Sequence, residues 1–314
     1  MNLYHLKSNQ LIEIRSNTFE LEKEIQNIIE KNVEELFSLE FIKTEFQINE
    51  YRIDSLCFDN QTKSFVIIEY KRGSSYSVID QGYTYLNTVL ENKSECVLEY
   101  NETKNKQLKR SDVDWSATKV IFISSHFNDF QKSCLIKNLP IDLYEIKRFE
   151  KDVITIQKIK NNSKQNSENF SRKDRVVKKI NEEIKVYSEE DHTEKSNDRI
   201  KNIWYELKQR LLRYEDTDFN AKKGYIQFHK NNKGVCYIKL RKDCIRVDFI
   251  TGVTYKDGTK SSTTIKLNDP KNMGTKKTIN WKGGDIGHRY NVEIRELDEI
   301  DDLEPIIRQK YKIV

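Results

Sequence analysis

Residues 52–73 read RIDSLCFDNQTKSFVIIEYKRG. Phe65, Val66, Ile67 and Ile68 form a short apolar run of the kind that makes a buried strand. The run stops at Glu69-Tyr70-Lys71, and Asp54 stands in a similar apolar setting fifteen residues earlier. The polar turn Asn60-Gln61-Thr62-Lys63 separates the two halves, so the stretch reads as a hairpin. Side chains two residues apart share a face of a strand, which puts Leu56 and Phe58 with Asp54, and Phe65 and Ile67 with Glu69 and Lys71. If Phe58 opposes Phe65, then Leu56 opposes Ile67 and Asp54 falls across from Glu69, with Cβ atoms about 5 Å apart. Two carboxylates so placed repel unless they share a cation or a proton.

A hard divalent ion would remove that repulsion, because Mg²⁺ takes one or two protein carboxylates together with waters and phosphate oxygens. An adjacent lysine would then position or deprotonate a bound water, and the chemistry suggested is metal-assisted hydrolysis of a phosphodiester. A surface strand end with a Glu69/Lys71 ion pair is the alternative, since E-x-K recurs by chance in a chain that is 33% charged.

Outward from the hairpin, residues 19–37 carry apolar side chains at 21, 25, 28, 29, 33, 36 and 37, the spacing of an amphipathic helix. Glu22 shares a face of that helix with Gln26; by itself it reads equally as a solvated acid. Residues 77–91 return to helical spacing, with Gln81 and Tyr85 four apart on one face, where Tyr85 also reads as core. A lysine-bearing stretch, NETKNKQLKRSD, leads to a strand in TKVIFISSHF, a short helix in NDFQKSCLIKN, and one or two closing strands in IDLYEIKRFEKDVITIQKI. Lys104, Lys106, Lys109 and Arg110 could line a nucleic-acid groove or simply solvate a loop.

Taken together, these residues resemble the PD-(D/E)XK restriction-endonuclease-like nucleases. The stretches LEKEIQNIIEKNVEELF, RIDSLCFD, IIEYKRG and DQGYTYL are most similar to the NucS-like branch and to bacterial relatives that carry a C-terminal domain of unknown function. The resemblance covers residues 15–150. It implies an α/β (α+β) fold with a restriction-endonuclease-like mixed-sheet core and flanking helices. It further implies Asp54, Glu69, the Tyr70 carbonyl and Glu22 as ligands of Mg²⁺ or Mn²⁺, with Lys71 as the group that orients the attacking water. Arg52, Arg72, Gln81 and Tyr85 become the expected nucleic-acid contacts. The implied activity is endonucleolytic hydrolysis of nucleic acid, most naturally DNA, in defence or repair; a non-catalytic binding or regulatory module on the same fold is the alternative. NucS proteins place a DNA-binding domain before the nuclease domain, whereas about fifteen residues precede the first helix here, so mismatch specificity is not carried over.

At 314 residues with a net charge of +5, the chain is long enough for two domains, and its mean hydropathy of -0.79 signals very polar surfaces. Residues 1–159 form the expected nuclease-like domain. Residues 160–186, rich in Asn, Ser and Lys, read as a polar linker, since so few apolar residues cannot build a core. Residues 187–314 read as a smaller α+β domain: a helix over 197–214, strands in GYIQFHK, GVCYIKL, CIRVDFI and RYNVEIREL, and a last helix over 299–309. Tyr225, Phe228, Lys230, Tyr237, Lys239, Arg241 and Arg246 on those strands form either a nucleic-acid face or the solvated side of a sheet. The segment KGGDIGH (282–288) lacks the P-loop pattern and reads as a turn.

The five cysteines show no C-x-x-C spacing and are expected to be buried thiols, and the five histidines lack zinc-ligand spacing; His126 reads as a strand-end surface histidine, the alternative being a place near the expected site. No stretch has the roughly 18 apolar residues of a membrane span, nor does the start have the apolar core of a signal peptide, so a cytoplasmic, membrane-free location is expected. Cutting both strands of a duplex would call for two active sites, which keeps a homodimer open.

Overall fold

In the computed structural model the hairpin pairs Phe58 with Phe65, Leu56 with Ile67 and Ser55 with Ile68, the register that the apolar pairs dictate. The structure describes residues 2–71, 78–133, 140–159, 183–261, 264–280 and 285–314. The chain divides into two compact units, Met1–Val186 and Tyr187–Val314.

The first unit is built on a seven-stranded mixed sheet. Its chain order is β3 (Ser16–Asn17), α1 (Glu22–Phe37), β4 (Glu40–Ile48), β5 (Tyr51–Asp59), β6 (Ser64–Lys71), α2 (Val78–Glu91), α3 (Lys93–Lys104), β7 (Lys119–Ser124), α4 (Asp129–Ser133), β8 (Ile141–Phe149) and β9 (Val153–Lys158), after an N-terminal hairpin of β1 (Leu3–Lys7) and β2 (Gln10–Ile14). The spatial order is β3-β8-β7-β6-β5-β4, with β9 paired to β8. Strands β4, β5 and β6 are antiparallel, whereas β6, β7 and β8 run parallel. The expected α/β (α+β) class and its order of helix, antiparallel strands, helix and strand are those of the structure.

The continuous apolar run of β6 reflects burial on both faces. Cys57, Val66, Ile68, Tyr70, Ile121 and Ile123 pack against Ile25, Ile29 and Val33 of α1. Leu56, Phe58, Phe65, Ile67, Val120 and Phe122 pack against Leu86 and Val89 of α2 and Cys96, Val97 and Tyr100 of α3. Helix α1 begins three residues later than its apolar spacing suggests and ends at Ser38, a left-handed residue whose N–H donates to the Glu34 carbonyl. At the amino ends of the parallel strands Asp142 accepts from Lys119 (3.0 Å) and Lys158 (2.7 Å), tying β8 to its two neighbours.

Helix α3 was not legible in the sequence, because it buries only Cys96, Val97 and Tyr100 and is otherwise polar; NETK belongs to it rather than to a loop. The β1–β2 hairpin also went unread, although Ser8 and Asn9 take the paired left-handed conformation of a type I′ turn (φ 49° and 61°). Of the expected linker, residues 160–182 lie outside the described residues. Its end returns to the first unit: Ile184 is buried in the α2-side core and Glu183 pairs with Lys93 at 2.5 Å.

The second unit contains α5 (Glu189–Thr193), α6 (Asp198–Leu211) and α7 (Ile300–Tyr311), with an antiparallel sheet in the order β10 (Thr217–Lys222), β11 (Tyr225–Lys230), β12 (Lys233–Leu240), β13 (Ile245–Thr254), β15 (Ile286–Ile294), β14 (Gly274–Asn280). Both outermost strands, β10 and β14, escaped the sequence reading; edge strands are polar and lack the alternation that marks a strand with one buried face. Ile200, Ile203, Trp204 and Leu207 of α6 and Leu303, Ile306 and Ile307 of α7 form one core with Ile238, Val247, Phe249 and Val292 of the sheet. Phe228 belongs to this core, and Lys230 lies over the Tyr311 ring, so neither joins the sheet's other face. Cys57, Cys96, Cys236 and Cys244 are free and buried; Cys134 lies outside the described residues. Among the described residues no helix is long and apolar enough to cross a membrane.

The packing predicts two unlike outcomes. Ile67→Ala, at a fully buried position, should lower unfolding free energy by about 2–5 kcal/mol, whereas Leu6→Ala on the exposed N-terminal hairpin should change it by no more than about 0.5 kcal/mol. Urea denaturation followed by circular dichroism measures both.

Candidate active site

The antiparallel ladder between β5 and β6 is regular as far as Ser55 and Ile68. One residue farther on, a side chain replaces it: Tyr70 N–H donates to Asp54 Oδ2 at 3.0 Å. Asp54 therefore caps the hairpin at the end where Glu69 and Lys71 stand. Tyr70 projects to the α1 side, where its hydroxyl lies 3.0 Å from Ser55 Oγ.

Glu69 is 3% exposed. Its Oε1 accepts three hydrogen bonds, from Lys71 Nζ (2.9 Å), Gln81 Nε2 (2.9 Å) and the Tyr85 hydroxyl (3.1 Å). Gln81 Nε2 also donates to the Tyr85 hydroxyl at 3.0 Å. The other oxygen, Oε2, is buried and has no hydrogen-bond partner among the described residues. A buried carboxylate oxygen left in that state is costly. Burial first, and then the negative charge of Asp54, push the Glu69 carboxyl up to about 7, against the opposing effects of Lys71 and Tyr85. Asp54 is also raised, mainly by burial, with the Tyr70 N–H and Lys71 opposing and Glu45 and Glu22 adding to the rise. Both carboxyls thus hold their protons more tightly than they would in water.

Beneath the hairpin α1 supplies polar as well as apolar contacts. The buried Gln26 offers Nε2 to the Asp54 carbonyl (3.0 Å), Glu30 Oε1 (2.9 Å) and Thr44 Oγ1 (3.1 Å). Ser55 Oγ donates to Glu30 Oε1 at 2.6 Å. This network fixes the backbone at Asp54 and Ser55, so the carboxylate stands on a rigid support.

Asp54, Glu69, Lys71, Gln81 and Tyr85 come together. Gln81 and Tyr85, expected at the nucleic-acid face, are turned to Glu69, and Tyr85 is only 8% exposed. Glu22 is exposed in the first turn of α1 and bears on Asp54 through its charge. Among the described residues no group of three or more His, Cys, Asp or Glu side chains is gathered that could hold a metal. Arg52 pairs with Glu45 at 2.9 Å, and Arg72 lies outside the described residues. Lys106 of the basic loop is held by Glu40 and the Tyr100 hydroxyl. His126 stands 3.6 Å from Glu145, which also accepts from Lys132 at 2.9 Å.

Nothing in the sequence signals Glu45 or Glu30, and helical spacing places Gln26 on the Glu22 face of α1 without its role under Asp54. Glu45 sits on β4 beside β5 and pairs with Lys23 (2.8 Å) as well as Arg52; only the β4–β5 pairing reveals it. The role of Gln26 could have been found, as the one amide on the otherwise apolar stripe of α1.

No family model matches the chain. An uncharacterised protein of Haemophilus influenzae is 38% identical over 317 residues, spanning 99% of this chain and 100% of that one. The chain belongs to the family of that protein. Among solved structures, a repair endonuclease from Pyrococcus abyssi aligns with 20% identity over 42% of this chain and about half (49%) of that one, at a TM-score of 0.24.

The raised Glu69 carboxyl fixes the sign of a pH effect. The folded state holds a proton that the unfolded state releases near 4.5, so stability falls as pH rises from there to about 7. Glu69→Gln removes the titration. With EDTA present, the difference between variant and wild type in urea unfolding should shift toward the variant by up to about 1.4 kcal/mol per pH unit across that window and level off above it; parallel profiles would contradict the assignment.

Proposed function

We propose that this protein is a metal-dependent phosphodiesterase, an endonuclease acting on DNA in defence or repair. The observation that carries the reading is Glu69: a buried carboxylate next to Asp54, with Oε1 held by three donors and Oε2 by none among the described residues. An all-oxygen set with two carboxylates suits Mg²⁺ or Mn²⁺ better than a softer metal. Asp54 and Glu69 would hold the ion, with the Tyr70 carbonyl as a further ligand and Glu22 as an auxiliary acid. When bound, such an ion neutralises the paired carboxylates, polarises a phosphate and acidifies a water.

The remaining work falls to this chain's own side chains. Lys71 places an ammonium within 2.9 Å of Glu69, where it can orient the attacking water and stabilise the negative charge that builds on the phosphate. Gln81 and Tyr85 hold Glu69 in one orientation, so the carboxylate need not reorganise when the phosphate arrives. The Gln26–Glu30–Ser55 network does the same for the backbone beneath Asp54.

Glu69→Ala, Asp54→Asn and Lys71→Ala should each lower Mg²⁺- or Mn²⁺-dependent cleavage of plasmid or single-stranded DNA by at least about 100-fold. Tyr85→Phe, which removes one of three donors to Glu69, should cost about 10-fold. Calorimetric titration should find Mn²⁺ binding that Asp54→Asn abolishes. Wild-type protein that binds neither ion and cuts neither DNA nor RNA would overturn the reading; DNA binding without metal dependence or cleavage would instead identify a binding module on the same fold.

A further inference from the structure

Acidic and basic side chains are unevenly matched in the second unit. Over most of it the bases have carboxylate partners: Arg199 with Glu296, Lys208 with Glu189, Arg210 with Glu206 and Asp301, and Arg246 and Lys239 with Asp248. Around β14, β15 and the 255–266 segment that lines the end of β13, the pattern breaks. Three acids there are engaged by neutral donors: Asp257 by the Thr259 N–H and hydroxyl, Asp269 by the Gly274 N–H and the Tyr290 hydroxyl, and Asp285 by the Lys256 N–H. Lys256, Lys260, Lys266, Lys276, Lys277 and Arg289 are left without a carboxylate partner among the described residues.

Two of these bases face each other. Lys277 of β14 pairs in register with Arg289 of β15, so they share a face, and like charges directly opposite one another destabilise a sheet. The neighbouring residues Lys276 and Tyr290 lie on the other face, with Tyr290 in the α6/α7 core. The Lys277–Arg289 pair therefore belongs to the face that the two long helices leave uncovered. A parallel case on the same face is already compensated: Lys239 opposes Arg246, and Asp248 binds both, at 3.1 and 2.7 Å. Among the described residues no carboxylate does this for Lys277 and Arg289.

We propose that Lys277 and Arg289 of β14–β15, together with the lysines at 256, 260 and 266 of the segment that lines the far side of β13, form an anion-binding surface that holds the phosphodiester backbone of a nucleic acid. Unpaired cations repeated across this end of the sheet match a repeating polyanion, whose phosphates would also relieve the Lys277–Arg289 repulsion. A lipid surface fits less well, because the area lacks an apolar face: Tyr255 is the one large apolar side chain there that is exposed by more than a third among the described residues. Binding at this surface requires no hydrolysis at Glu69.

The test is fluorescence anisotropy of labelled 30-nucleotide oligo-dT and a 30-base-pair duplex with the full chain in EDTA, across a salt series. The double variant Lys277→Glu/Arg289→Glu should weaken binding at least about 10-fold and lower the slope of log K against log salt by about 1.5–2. Lys242→Glu serves as the control for a single charge reversal: it lies on the β12–β13 turn, about 20 Å away along the sheet, and should leave binding unchanged. Lys260→Glu/Lys266→Glu, outside the strands, should weaken binding in the same direction and covers the case in which the first pair fails to fold. Glu69→Ala should bind normally; its loss of cleavage, or lack of one, bears on the nuclease reading alone. Affinities within twofold of wild type for both double variants, equal weakening by Lys242→Glu, or binding to phosphatidylserine vesicles with none to either oligonucleotide would overturn the proposal.

Discussion

The pairing of β5 with β6 fixes almost everything else in the first unit. Aromatic and aliphatic pairs along the hairpin, Phe58 with Phe65 and Leu56 with Ile67, set a register that cannot slip by one residue without turning both apolar sets to the wrong side. That same register brings Asp54 and Glu69 to one end of the hairpin, where favourable apolar pairing gives way to repulsion. Burial of the pair then raises the cost, because the charges are removed from water. The free energy of the core is what holds the carboxylates together.

The two faces of β6 divide the labour. On the α1 side, Gln26, Glu30, Ser55 and Tyr70 form a hydrogen-bonded strip that locks the backbone. On the α2 side, Lys71, Gln81 and Tyr85 all converge on one oxygen of Glu69 and leave the other without a partner among the described residues. A purely structural ion pair would gain by satisfying both oxygens. The lopsided arrangement stores an unmet interaction at a chosen atom, which is how functional sites depart from the rule that buried polar groups are bonded.

The second unit shows a related imbalance at lower density. Its helices and central strands pair their charges, while β14, β15 and the segment lining β13 retain bases with no acid partner among the described residues. In both units, repulsion between like charges held in fixed register marks the place where an ion of opposite sign would lower the free energy. The sign differs: the proposed ligand is a cation at Asp54/Glu69 and a polyanion at Lys277/Arg289.

Sequence by itself determined the elements whose apolar spacing is strong: α1, the β5–β6 hairpin with its register, α2, β7, α6 and α7. It also determined the convergence of Asp54, Glu69 and Lys71, because in a hairpin the chain's own spacing decides which residues meet. It could not show α3, β10 or β14, whose buried faces are too small to leave a periodic signal. Nor could it show that Tyr85 and Gln81 turn inward to Glu69, that Glu45 stands beside Arg52, or that Ile184 returns to the first core. Those contacts join residues far apart in the chain, and only the packing of α1, α2 and β4 onto one sheet decides them.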